Sequence, residues 1–111
     1  MTDFPPSAAT TDAVLHSVHI TWNPGVDEAH GMRVAEALNT YAATVPGLLF
    51  FRAGTDLGLR ENTADFGIVA LFGNSQSFQA YAVAEPHVAI ITDLIAPAAR
   101  TRSSTQTALT A

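Results

Sequence analysis

ADFGIVALFGNSQSFQAYAVAEPHVAIITDLI, residues 64–95, is the stretch from which the rest of the chain can be ordered. Its first nine residues alternate. Phe66, Ile68, Ala70 and Phe72 project one way and Asp65, Gly67, Val69 and Leu71 the other, which is the period of a β-strand. Asn74 or Ser75 then offers a side-chain cap for a helix on which Phe78, Tyr81 and Ala82 share a face. Glu85-Pro86 breaks that helix, because proline disfavours an α conformation in the residue before it and has no N–H to donate. Proline also suits the start of a helix, so a second segment opens around His87 and carries Val88, Ile91, Leu94 and Ile95 as its stripe until Pro97. A side chain at such a corner points into a pocket rather than into a packed seam. His87, with Tyr81 facing it across the break, is the leading candidate for catalysis.

Upstream, Ala13–Trp22 also alternates, with Val14, His16, Val18, Ile20 and Trp22 on one face and Leu15, Ser17, His19 and Thr21 on the other. After the Asn23-Pro24-Gly25 turn, Asp27 caps a helix whose stripe is Val34, Ala35, Leu38, Tyr41, Ala42 and Val45. Gly31 weakens its early part, and Pro46-Gly47 stops it. Leu48–Gly54 reads as a second strand, Asp56–Thr63 as a polar connection, and the threonine-rich Thr101–Leu109 as a final edge strand. The order β-α-β-β-α-β implies an α+β, ferredoxin-like domain over residues 13–111, an antiparallel sheet with its helices on one face. Residues 1–12, rich in Pro, Ser, Thr and Ala, read as a flexible N-terminal tail. The uncovered sheet face calls for a partner, so a homodimer through that face is expected.

Composition removes whole classes of function. The 111 residues fit one domain, with 48% hydrophobic and 14% charged residues and a net charge of −5. The five basic residues are scattered arginines that form no stripe for a phosphate backbone, so nucleic acid is not an expected partner. There is no cysteine, no apolar run long enough to span a bilayer and no secretion-type N-terminus, which suits a cytoplasmic protein with no membrane partner. Glycine-rich phosphate loops, a serine nucleophile elbow and a dinucleotide fingerprint are also missing. No His and carboxylate cluster has metal-ligand spacing. Neither a metal nor a cofactor is expected.

Imidazole titrates near neutral pH, so His87 can serve as a general base toward a carbon between two carbonyls. The Tyr81 phenol is a donor at that pH and can orient His87 or stabilise an enolate. His16 lies on the apolar face of the first strand, where a satisfied buried histidine and a substrate-binding group are both open readings. His19, an odd number of positions away, points through the sheet, and His30 reads as a solvated residue near the start of the first helix. Trp22, Phe66, Phe72 and Phe78 can line an aromatic substrate pocket or form plain core.

These features resemble the stress-responsive A/B barrel domain (Dabb) family of the dimeric α+β barrels. The resemblance runs from Val14 to Leu109 and rests on Leu15-His16-Ser17-Val18-His19-Ile20-Thr21-Trp22, Val45-Pro46-Gly47, Gly54-Thr55-Asp56-Leu57, and Tyr81 followed six residues later by His87. The family usually writes the last motif Tyr-x-x-His-Pro-x-His. Here Ala84 replaces the first histidine, and Pro86 comes one place later. Members such as the olivetolic acid cyclase-like polyketide cyclases are cofactor-free. The resemblance implies Tyr81 and His87 as their catalytic pair and His16 as a pocket residue, while a further pocket histidine falls at Phe66. It therefore implies a cofactor-independent cyclase acting on a polyketide or similar small aromatic metabolite. The alternatives it carries are a non-catalytic, stress-related stable dimer and a cofactor-free or haem-dependent oxygenase.

Overall fold

The structure is a computed structural model that describes residues 12–109. All of the expected N-terminal tail except Asp12 lies outside those residues, as do the last two positions. In chain order the elements are β1 (Val14–Trp22), α1 (Glu28–Ala42), β2 (Leu48–Thr55), β3 (Phe66–Phe72), α2 (Ser75–Val83), α3 (Glu85–Ile90), a π-helical turn (Ile91–Ile95) and β4 (Ala99–Ala108). The four strands form one antiparallel sheet in the order β2-β3-β1-β4, the ferredoxin-like arrangement expected from the sequence.

Pairing follows from the alternation. In the β1–β3 register His16 lies opposite Ala70, Val18 opposite Ile68 and Ile20 opposite Phe66, so the apolar set of each strand shares the helix-covered face. Val18, Ile20, Phe66, Ile68 and Ala70 join Val34 and Leu38 of α1, Phe51 of β2, Phe72, Tyr81 and Ile95 in one core. On the opposite face Leu71 and Ala13 gather Leu15, Phe50 and Leu109 into a smaller cluster, and Val69 remains 37% exposed. His19 is exposed on that face, beside a broad open groove also lined by Arg52, Leu57, Arg60 and Val69.

Both predicted caps are made. The Asp27 side chain accepts from the His30 N–H at 2.9 Å, and the Asn74 side chain from the Ser77 N–H at 2.8 Å. Gly31 has a steric role beyond its effect on helix propensity. A Cβ there would stand 2.8 Å from Thr55 Oγ1, so α1 lies close against β2 at this point.

The break between α2 and α3 falls at Ala84, with φ −63° and ψ 138°, one residue before the expected Glu85-Pro86. Glu85 and Pro86 become the first two residues of α3, where an N–H has no partner within the helix in any case. The expectation for the end of the second helical segment needs correcting too: after Ile90 the helix widens into a π turn, closed by an Ala96 N–H to Ile91 C=O bond of 2.7 Å.

Candidate functional site

The site is held by β1, α2, the Ala84 break and β4. Because α2 ends at Val83 and α3 starts two residues later in a new direction, Tyr81 from one helix and His87 from the next converge. Their ring centroids are 4.2 Å apart. His16 approaches from β1, with its ring 4.9 Å from Phe78 and 6.2 Å from Tyr81. These four side chains line a partly open cavity of about 340 Å³. Its remaining apolar wall includes Val18, Ile20, Leu38, Ile68, Ile91 and Ile95, and β4 closes the other side with Arg102, Ser103, Ser104 and Gln106.

Hydrogen bonds set the imidazole tautomers. His87 Nδ1 lies 3.1 Å from the Ala82 carbonyl, which can only accept, so Nδ1 carries the proton and Nε2 is the basic atom. Burial lowers the His87 pKa and the nearby Arg102 charge lowers it further, against an opposing contribution from the Ala82 bond. His16 is likewise lowered, first by burial and then by His87, with the Thr105 backbone opposing. The Gln106 side-chain amide donates to His16 Nδ1 at 3.0 Å, which places the neutral ring's proton on Nε2. Near pH 7 both rings are therefore neutral.

Tyr81 is 3% exposed, packed against Phe72 at 5.1 Å and stacked on Tyr41 at 6.1 Å. Burial, and secondarily Tyr41, push its phenol well above the ordinary tyrosine range, so it stays protonated. Its hydroxyl makes no hydrogen bond among the described residues, yet no sealed side-chain polar atom there lacks a partner. That hydroxyl must reach open volume, and Tyr81 lines the cavity. A neutral base, a phenolic donor and a second imidazole thus border one hollow.

The remaining candidates lie elsewhere. Trp22 and Phe66 do not line this cavity. They pack together at the far end of β1, with centroids 5.6 Å apart, and the six steps from His16 to Trp22 span about 20 Å of strand. Phe66 is 1% exposed and belongs to the core, as does Phe72, which meets Phe78 edge-on at 5.6 Å. Strand alternation identifies a face but not a position along it. His30 also departs from expectation: it is half-buried rather than solvated, its Nε2 is 2.7 Å from the Leu94 carbonyl, and its ring meets the edge of Trp22 at 5.2 Å. The polar residues of β4 were the part of the site that sequence reading missed. Their pairing with β1, Ile20 to Arg102, Val18 to Ser104 and His16 to Gln106, puts them on the cavity side. Among the described residues no group of three or more His, Cys, Asp or Glu is arranged to hold a metal ion, and no helix is long and apolar enough to cross a membrane.

Sheet order, helix placement and the two-layer core define a ferredoxin-like α+β protein, and solved structures agree. A dimeric ferredoxin-like protein of unknown function from Thermobifida fusca superposes with a TM-score of 0.86 at 29% identity, covering 97% of this chain and 100% of its own. The family description "Stress responsive A/B Barrel Domain" (Dabb) matches residues 14–105, and the chain belongs to that family. Similar folds include a hydroxynitrile lyase from Passiflora edulis (TM-score 0.75, 15% identity, 88% of this chain and 94% of that one). A cofactor-independent oxygenase from Streptomyces nogalater is also similar (0.70, 14%, 86% and 91%). At those identities the likeness is one of fold. No curated protein sequence matches the chain.

Proposed function

We propose that this protein is a cofactor-independent, cyclase-type enzyme acting on a polyketide or similar small aromatic metabolite in the cytoplasm. His87 Nε2 takes a proton from a carbon flanked by carbonyls, and the Tyr81 hydroxyl donates to the enolate oxygen as charge develops there. The carbanion attacks a second carbonyl of the same chain. In an aldol closure the new alkoxide recovers a proton from His87; in a Claisen closure the tetrahedral alkoxide reforms the carbonyl, the C–S bond breaks, and the departing thiolate takes the proton from His87. His16 and Phe78 hold the substrate.

The observation that carries this reading is the 4.2 Å approach of Tyr81 to His87 at the wall of a 340 Å³ cavity, with the basic nitrogen chosen by the Ala82 carbonyl. The test is turnover of linear poly-β-keto thioesters, followed by the absorbance of the aromatic product. His87→Gln should lower kcat by roughly 10² to 10⁴, the usual contribution of a positioned general base, while the fold survives. Equal rates for the variant and the wild type would sink the proposal.

A second reading, a non-catalytic stable dimer, is favoured by the Thermobifida fusca protein, which is described as dimeric and of unknown function. Its interface would be the open sheet face, around Leu15, Phe50 and the exposed Val69. A biological activity that His87→Ala leaves untouched would favour this reading. Oxygen uptake with a quinol-type substrate would instead point to oxygenase chemistry.

A further inference from the structure

The cavity has two unlike walls. Val18, Ile20, Leu38, Phe78, Ile91 and Ile95 offer only carbon to a ligand, whereas the β4 wall is built from Arg102, Ser104 and Gln106. Arg102 is the only permanently charged residue at the cavity, and no aspartate or glutamate lines it. Its guanidinium makes no hydrogen bond or ion pair among the described residues, although its charge is felt at His87. The open groove on the other sheet face also holds arginines, Arg52 and Arg60, but Asp56 shares it, whereas no carboxylate shares the Arg102 cavity.

Ser104 adds a second donor on the same strand face. Gln106 Nε2 reaches both His16 Nδ1 at 3.0 Å and Ser104 Oγ at 3.3 Å. Ser104 therefore accepts from Gln106, which leaves its own O–H to donate elsewhere. Arg102 and Ser104 lie two residues apart on an extended strand, about 7 Å along its length. A bidentate oxyanion bound to the guanidinium fits that spacing, with the hydroxyl reaching one of its oxygens.

We propose that the cavity takes a ligand bearing its own carboxylate, with Arg102 as counter-ion, Ser104 as second donor and the apolar body of the ligand against Phe78, Ile91 and Ile95. This rests on the catalytic reading only for the choice of cavity. It adds that the substrate or product is an acid rather than a neutral ketone or ester. The carboxylate end is then fixed at the β4 wall, and the reacting carbon extends toward His87.

The test is binding rather than turnover, so it can fail or succeed independently of catalysis. Calorimetric titration with 2-hydroxybenzoate and with its neutral isostere 2-hydroxybenzamide, near neutral pH, should show the acid binding at least roughly tenfold more tightly, as expected for a charge-assisted pair. Added salt should weaken the acid and leave the amide unchanged. Arg102→Gln should abolish the preference without weakening the amide, Arg102→Lys should keep part of it, and His87→Gln should leave it in place. Arg102 is exposed on an edge strand, so its loss should not disturb folding; if Arg102→Gln fails to fold, the lysine variant and the salt series decide. The proposal is overturned if acid and amide bind alike, if neither binds, or if the preference persists without the arginine. Loss of turnover in His87→Gln with an intact preference for the acid would support both readings. An intact preference with unchanged turnover would remove the catalytic reading alone.

Discussion

Tyr81→Phe separates what the tyrosine ring does from what its hydroxyl does. The ring is 3% exposed and lies within 5.1 Å of Phe72 and 4.2 Å of His87, centroid to centroid, so it is part of the core. The hydroxyl has no hydrogen-bond partner among the described residues and reaches open volume. Removing it loses no bond and seals no polar group, so the stability change should stay within about 0.5 kcal/mol. A hydroxyl bonded inside the core would instead cost about 1–3 kcal/mol. Tyr81→Ala should cost about 3–5 kcal/mol, as for other buried aromatic truncations. Urea unfolding followed by Trp22, the chain's single tryptophan, measures all three proteins, since Trp22 packs on Phe66 rather than on Tyr81. Turnover should not follow stability: the phenylalanine variant, nearly as stable as the wild type, should already lose roughly 10² in kcat, the effect of removing one preorganised donor. A Tyr81→Phe loss of more than about 1.5 kcal/mol would refute the accessible-hydroxyl reasoning, because the group would then be bonded in the core.

His16 and His87 both have folded pKa values below the ordinary 6.5. Below that pH the unfolded chain binds more protons than the folded one, so stability should hold above about pH 6.5 and fall as the pH drops toward the lowered folded values. The double variant His16→Gln/His87→Gln should flatten that part of the stability curve, which denaturant titrations across the range would reveal. Gly31→Ala should destabilise despite alanine's better helix propensity, by at least ~1 kcal/mol, because the new methyl meets Thr55 Oγ1; adding Thr55→Ala should restore much of the loss in a thermal melt. On the reading in which the open sheet face joins two copies, Val69→Asp places a charge in that interface without entering the core, so light scattering should report a dimer for the wild type and a monomer that still unfolds cooperatively for the variant.

The parts of the fold that rest on local periodicity were legible in the sequence: the faces of β1 and β3, the stripe of α1, and the Asp27 and Asn74 caps. Tyr81 and His87 stood out for a related reason, since a proline break is a local signal and the convergence follows from it. Long-range features were not legible. His30 reads as solvated because its partner, the Leu94 carbonyl, is 64 residues away. Trp22 and Phe66 share a face with His16; the spacing along β1 already sets Trp22 about 20 Å away, but only the strand register shows that Phe66 sits at that end too. Arg102, Ser104 and Gln106 carry no apolar pattern, and they become cavity residues only once β4 is paired with β1 in a known register. The π turn after Ile90 has no residue signature: the stripe Val88, Ile91, Leu94 and Ile95 reads as ordinary α-helix.

β4 is a terminal strand whose inward side chains at 102, 104 and 106 meet the hollow rather than the packed interior. Substitutions there should leave the melting temperature nearly alone while changing what the hollow admits. A library randomised at those three positions should therefore yield mostly folded proteins of differing ligand choice, so that new specificities can arise in this scaffold without first weakening it.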